Sequence, residues 1–270
     1  MGLYDIMDEI AAKQVTKSET GDNRMPGIVV GVVQSNYSED MPGRVCVSIP
    51  VRDAKANELK WARVAMPYSG SKWGYYFLPE AGDQVLVAFE NGNIEKPYVI
   101  GSIPKDSNRF LTGSVSKTNE HKKIVTKNGS TIEFHDVADQ DGQKDQIKIY
   151  TANKSHNVIL DNEKGSISLS DKEGKNKLEI QTTNGRIQLK TEHKLTINVG
   201  DSVELTLNGD SGTIQVKCGK LNVEADQSVK LETSGKLGLS GGNVALDASA
   251  SFKVNSSGIS SIGGSPVKIG

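Results

Sequence analysis

The chain has 270 residues and a formal net charge of −1, so it has no global electrostatic attraction to nucleic acid or to an anionic membrane. It contains no run of about 18 apolar residues long enough to span a membrane. Both tryptophans, six of seven tyrosines and seven of eight prolines precede residue 105, and this shift in composition predicts a domain boundary near Pro104.

Residues 1–25 are predicted to form a short amphipathic helix over residues 3–17, followed by a polar tether. Acidic side chains come early in that segment and lysines come late, which matches the helix dipole. The helix either packs on its own domain or docks on a partner, and we expect a hub protein to bind its apolar stripe of Leu3, Ile6 and Ile10. The acidic start lacks the apolar centre of a signal peptide, which predicts synthesis in the cytoplasm.

Residues 26–103 carry five strand signals separated by turns rich in Gly, Pro, Asn and Asp. The predicted strands are 27–34, 43–51, 61–66, 84–89 and 98–103, with residues 73–78 leading into the fourth. Five short antiparallel strands in about 80 residues are typical of a small closed barrel of the OB type.

Aromatic side chains are concentrated in this predicted barrel, as Trp61, Tyr68, Trp73, Tyr75, Tyr76 and Phe77. OB folds that bind nucleic acid combine such rings with a basic groove. Residues 26–103 hold seven Lys or Arg against eight Asp or Glu, with no basic cluster. We therefore predict core packing or subunit contact for these rings, and no nucleic-acid partner.

Residues 104–123 are predicted to be a linker, and residues 124–270 repeat an apolar–spacer–apolar unit about every eight residues. The units are 178–180, 187–189, 195–197, 203–205, 214–216, 221–223, 229–231, 237–239, 244–246, 252–254 and 267–269. Alternation with period two predicts strands with one buried face, and strands this short need many neighbours. The period alone fits either a single-chain solenoid or an intertwined β-helix of three chains.

Residues 61–67, 74–89 and 96–102 resemble the OB domain of contractile-tail central spikes, the family of phage baseplate assembly protein V, T4-like spikes and VgrG. Residues 128–134, 145–149 and 158–169 resemble the segment by which these spikes enter their needle. The resemblance implies an all-β fold, with an OB barrel followed by an intertwined homotrimeric triple-stranded β-helix. It also implies a spike in a phage-tail-like particle, held by a separate hub protein, that pierces the target cell envelope.

Several features set the expectations for activity and for the needle tip. The 20 residues of the linker are too few for the lysozyme domain of some relatives, and we expect no enzyme activity and no cofactor. The alternative function is that of a trimeric tail protein that binds or degrades polysaccharide. The resemblance further implies a PAAR-like tip protein, and we expect it to bind an apolar platform formed by Ile262, Val267 and Ile269.

The polar residues that could hold a metal ion lack the required spacing. His121, His135, His156 and His193 are far apart in sequence, and we expect them to be exposed without a metal ion. The acidic stretch 136–145 does not fit the calcium loop of an EF-hand, and it is predicted to be the solvated tip of a hairpin.

Overall fold

The computed structural model describes residues 16–17, 23–49, 60–105, 108–138 and 140–268. The structure confirms the predicted all-β fold. The chain divides into two units, residues 1–194 and residues 195–270. Strand β1 (Thr16–Lys17) pairs with β2 (Asn23–Arg24), so the predicted N-terminal helix does not extend to residue 17. The rest of that predicted helix lies outside the described residues.

Five strands close into a barrel, which confirms the predicted OB-type domain. They are β3 (Ile28–Ser35), β4 (Arg44–Ser48), β5 (Lys60–Val64), β6 (Gln84–Phe89) and β7 (Pro97–Ile103). The order around the barrel is β3-β4-β5-β7-β6. Neighbouring strands are antiparallel except for the parallel pair of β5 and β7.

The core of the barrel consists of small branched side chains on alternate strand positions. In β6, Val85, Val87 and Phe89 point inward while the residues between them are partly exposed. Valine suits this position because its branched side chain is stiff and packs well on a pleated, narrow interior. Met25 covers one end of the core, where its backbone N–H donates to the Gly92 carbonyl at 2.8 Å.

The segment after the barrel contains one short helix, α1 (Arg109–Thr112). The Asn108 side chain caps it by accepting a hydrogen bond from the Phe110 N–H at 2.8 Å. The helix lies within the predicted linker, and the first strand of the next sheet begins at His121.

A seven-stranded antiparallel meander follows the linker. Its strands are β8 (His121–Val125), β9 (Thr131–His135), β10 (Gln146–Tyr150), β11 (His156–Asp161), β12 (Ser166–Asp171), β13 (Lys177–Gln181) and β14 (Arg186–Lys190). Each strand pairs with the next one in sequence. A solenoid would instead stack strands in parallel, one coil apart. The single-chain solenoid is therefore excluded for residues 121–190.

The second unit holds a three-stranded sheet and a long extended segment. The strands are β15 (Lys194–Val199), β16 (Val203–Asn208) and β17 (Thr213–Lys217), in that order. The described residues after 217 form no strand, although the sequence predicts strands from 221–223 to 267–269. A strand requires a hydrogen-bonded neighbour, and this segment finds none among the residues that the structure describes. No helix among the described residues is long and apolar enough to cross a membrane.

Candidate interaction surfaces

One face of the seven-stranded sheet is apolar from edge to edge. Its first row is Lys122, Phe134, Ile147, Leu160, Ile167, Ile180 and Ile187, and its second is Ile124, Ile132, Ile149, Val158, Leu169, Leu178 and Leu189. Lys122 is the one charged residue among these paired positions. We call these two rows the apolar face.

The apolar face is not covered by the described part of the chain. Ile187 is 70% exposed, Leu169 57% and Leu189 54%. A soluble monomer rarely leaves a contiguous apolar patch of this extent in water, and such patches usually mark a binding surface.

The second unit also exposes apolar side chains. On one face of its sheet Leu205 pairs with Val216 and Leu207 with Ile214, and Ile214 is 75% exposed. In the extended segment 218–268 the alternating aliphatic side chains are equally open, with Leu221 at 65% and Val254 at 69% exposure. Segments with unpaired backbone and exposed apolar side chains gain stability only when another chain supplies the neighbours.

The opposite face of the seven-stranded sheet is polar, and at its first strands it is the better buried of the two. Glu133 is 7% exposed. Its carboxylate contacts the His121 Nδ1 atom at 2.8 Å and accepts a hydrogen bond from the Tyr150 hydroxyl at 3.0 Å. Lys123 Nζ lies 3.8 Å away. We call these four residues the Glu133 cluster.

Two opposing effects act on the pKa of Glu133. Burial raises it, but the hydrogen bonds with Tyr150 and His121 and the charges of Lys123 and Lys148 outweigh burial and leave the pKa lowered. Burial and the same hydrogen bond raise the pKa of Tyr150, so the pair is a phenol donating to a carboxylate.

The histidines occupy two kinds of position. His156 and His193 are exposed, as predicted. His121 and His135 are half-buried, which corrects the prediction, because the β8–β9 register places them opposite each other. Their rings stack with centroids 4.7 Å apart. No group of three or more His, Cys, Asp or Glu side chains within the described ranges could hold a metal ion.

The acidic stretch 136–145 connects β9 to β10, which confirms a hairpin tip. The Asp145 carboxylate accepts a hydrogen bond from the Val137 N–H at 2.9 Å and thereby stabilises the connection. Asp161, the last residue of β11, has a comparable role in the next turn. Its carboxylate accepts hydrogen bonds from the Lys164 N–H at 3.0 Å and from Gln146 Nε2 of the paired strand at 2.8 Å, and the residue is 4% exposed. Both carboxylates therefore stabilise the turns between strands by accepting backbone hydrogen bonds.

Five of the six aromatic side chains considered for the barrel are on its surface, and the sixth, Trp61 in β5, is half-buried. Tyr68, Trp73, Tyr75, Tyr76 and Phe77 are between 51% and 73% exposed. Core packing is therefore wrong for these five residues, and subunit contact stays a prediction. Their sequence neighbours are glycines and serines, which form a hairpin outside the barrel instead of a barrel strand.

The residues predicted to bind partners at the two ends of the chain are only partly described. Leu3, Ile6 and Ile10, the predicted hub contacts, lie outside the described residues, and so does Ile269. Ile262 is 83% and Val267 48% exposed. The platform that these tip residues were predicted to form stays a prediction.

Comparison with known proteins identifies the class. Residues 29–103 match the family model of the type VI secretion system/phage-baseplate injector OB domain, which is the segment that forms the closed barrel. The chain thus contains an injector OB domain.

The most informative relatives are VgrG spike proteins. The chain is 26% identical to the type VI secretion system spike protein VgrG1a of Pseudomonas aeruginosa over 249 residues, which are 87% of this chain and 39% of that protein. It is 30% identical to the actin cross-linking toxin VgrG1 of Vibrio cholerae over 146 residues, 53% of this chain and 13% of the toxin. It is 36% identical to the V. cholerae spike protein VgrG3 over 83 residues, 30% of this chain and 8% of that protein.

These matches show that the chain is similar to VgrG spike proteins and that residues 29–103 match the injector OB domain. The chain spans well under half the length of each of these three relatives, at most 39%. The similarity to VgrG1a covers most of the chain, so it includes the strands after the barrel as well as the barrel.

Proposed function

We propose that this chain is the central spike of a contractile injection particle, and that three copies form a needle that pierces the target cell envelope. One observation supports the proposal: no described part of the chain covers the apolar face or pairs with segment 218–268. The similarity to VgrG spikes supports the same function.

In the proposed needle, the apolar faces of three copies meet at a common axis and exclude water. Each buried Ile or Leu stabilises the assembly by roughly 1.5–3 kcal/mol before the loss of chain entropy is subtracted. The backbone of segment 218–268 pairs with the other two copies, which removes open strand edges. A shaft held in this way resists bending and unfolds slowly, as the penetration of an envelope requires.

The parts of the chain have separate roles in this proposal. Residues 1–25 contact the hub, and residues 26–103 of the three copies form a collar of three barrels. Residues 104–123 connect each barrel to the needle, and residues 124–270 form the needle and its tip. A PAAR-like tip protein binds Ile262, Val267 and Ile269. The particle is a phage tail, a tailocin or a secretion device, and it is assembled in the cytoplasm.

The proposed role is structural and not enzymatic. One relative is named as an actin cross-linking toxin, but the similarity covers only 13% of that protein. Purified protein is expected to release no sugar from peptidoglycan or capsule. Turnover that disappears on substitution of a single Asp or Glu would instead establish the polysaccharide-degrading alternative.

The decisive experiment measures mass and resistance to detergent. The native protein should weigh three chains in light scattering, and unheated samples should migrate as trimers in SDS. Boiling should convert them to single chains. A folded monomer with full β-structure by circular dichroism would refute the spike.

The tip contact has its own test. The Ile269→Asp variant would place three carboxylates in the platform and should abolish binding of the tip protein while leaving the trimer intact. Unchanged binding, or a platform covered by residues of the trimer itself, would refute the tip contact and leave the needle standing.

A further inference from the structure

A hairpin with exposed aromatic side chains lies between β5 and β6. The Gly70 N–H donates to the Trp73 carbonyl at 2.8 Å, and the Tyr75 N–H donates to the Tyr68 carbonyl at 2.9 Å. An isolated β-bridge joins Ser69 to Gly74. We call residues 68–77 the aromatic arm.

Two glycines give the aromatic arm its shape. A Cβ atom at Gly70 would overlap the indole ring of Trp73, which lies directly against this glycine. A Cβ atom at Gly74 would lie 2.9 Å from the Tyr68 carbonyl oxygen. The backbone is therefore shaped to hold the rings in a fixed arrangement, and Tyr75 and Phe77 have ring centroids 6.0 Å apart.

The chemistry of the arm is that of a protein-binding surface. Its five rings are at least 51% exposed, and Lys72 is the one charged residue between positions 66 and 79. Protein interfaces are enriched in Tyr, Trp and Phe and depleted of charge at their centres. A nucleic-acid platform would require several basic side chains around the rings.

A second uncharged surface lies on the wall of the same barrel. Strands β3, β6 and β7 are neighbours and contain no Asp, Glu, Lys or Arg. Ile28 is 58%, Val30 42% and Ile100 43% exposed on the outside of these strands. The other two strands, β4 and β5, carry Arg44, Lys60 and Arg63. We call β3, β6 and β7 the uncharged wall.

We infer that the aromatic arm of one copy packs on the uncharged wall of the next copy's barrel. The inference rests on the proposed trimer. In a ring of three identical subunits each copy contacts its two neighbours through two different surfaces. The barrel domain offers one protruding and one flat surface, and both lack charge, so their contact desolvates apolar side chains without burying an unpaired charge.

Photo-crosslinking from the arm tests the contact in the full-length chain. Benzoylphenylalanine replaces Tyr76, which is 73% exposed, and the protein is assembled from a mixture of ¹⁴N- and ¹⁵N-labelled chains. Illumination should produce a two-chain adduct, and mass spectrometry should place the second end on residues 28–35, 84–89 or 97–103 of another copy. Mixed isotopes within the adduct establish that the two ends belong to different chains.

Tyr37 supplies a matched control, because it belongs to the same domain and is 71% exposed but lies outside the arm. Benzoylphenylalanine at this position should give no adduct with the wall of another copy, although its own Ser35 is within reach. The Val30→Lys substitution changes an outward side chain of the wall and should lower the yield of the Tyr76 adduct at least tenfold without changing the native mass.

The possible results distinguish failure of the arm–wall contact from failure of the proposed trimer. A native trimer that forms no adduct, or whose adduct lies within the same chain or on the needle, would overturn the contact and leave the spike proposal intact. A native monomer would overturn both. An adduct between copies at the wall that Val30→Lys suppresses would support the contact.

Discussion

The barrel and the seven-stranded sheet are built by the same sequence rule and reach opposite results. Both place apolar residues at alternate positions along their strands, so that these residues share one face. In the barrel Val85 and Val87 are fully buried, whereas in the sheet Ile187 is 70% exposed. The barrel satisfies its apolar face within one chain, and the sheet does not.

The difference lies in closure. Five strands that wrap around one axis turn one face inward, and their side chains fill the small interior. The meander remains an open sheet with its apolar face exposed. The better buried side chains are on the polar face, where Glu133 is 7% exposed. A strand pattern thus defines a face to be buried, and the number of chains needed to bury it depends on topology.

The largest expected effect comes from a charge on the apolar face. Ile187→Asp places three carboxylates at the proposed axis and should abolish the SDS-resistant trimer, because isolated buried charges are strongly unfavourable. Gln188→Asp is the matched control, since the adjacent residue lies on the polar face of the same strand. Native mass and unheated SDS gels measure both. Equal behaviour of the two variants would mean that the apolar face is open to water in the assembled protein.

The corresponding change in the barrel should act locally. Val87→Ala leaves a cavity in a closed core and should lower the free energy of unfolding of the barrel by about 1–3 kcal/mol. Both tryptophans, Trp61 and Trp73, are in the barrel domain, so their fluorescence during denaturant unfolding reports this domain. The SDS-resistant trimer should persist. Its loss would show that barrel and needle unfold as one unit.

A smaller effect is expected at the Glu133 cluster. Because the pKa of Glu133 is lowered in the folded state, its ionised form stabilises the fold above the ordinary glutamate pKa of about 4.3. That contribution is lost as the pH falls through the lowered pKa. Glu133→Gln should therefore cost about 1 kcal/mol at pH 7 and progressively less in acid.

Hydrogen exchange of peptides from β8 to β10, corrected for the intrinsic rate, measures this difference at each pH. Glu163→Gln is the control, because Glu163 is an exposed carboxylate in a neighbouring turn. A Glu133→Gln penalty that stays constant between pH 7 and pH 3 would show that shape, and not charge, explains the role of Glu133.

The smallest effect is expected where the barrel domain contacts the meander. Lys127 Nζ lies 3.0 Å from a Glu80 carboxylate oxygen, and both side chains are substantially exposed. Exposed pairs contribute about 0–1 kcal/mol, so Lys127→Ala should shift barrel unfolding by less than about 0.5 kcal/mol. A double-mutant cycle with Glu80→Ala, followed by tryptophan fluorescence, gives the coupling energy. A coupling above about 1.5 kcal/mol would instead indicate that the pair fixes the domain orientation.

The sequence by itself determined the strands and their faces. Period-two alternation defines which side chains share a face whatever the strand pairs with, so the five barrel strands and the octad units up to 214–216 were found from the residues alone. The turn residues located the breaks between strands, and the balance of charges in residues 26–103 argued against a nucleic-acid site. These features depend on local chemistry.

Only the tertiary structure decided which strands pair with each other and which apolar faces are buried. The β8–β9 register places His121 opposite His135, and with β10 it brings Glu133 to Tyr150, although these residues are spread over 30 positions of the sequence. The rings of the aromatic arm were predicted to pack in the core or to contact another subunit, and the hairpin that contains Gly70 and Gly74 places them outside the core. Segment 218–268 has the strand pattern, but it pairs with no other described part of the chain. A backbone hydrogen bond needs a partner at a definite position, and the pattern of one strand does not specify that position.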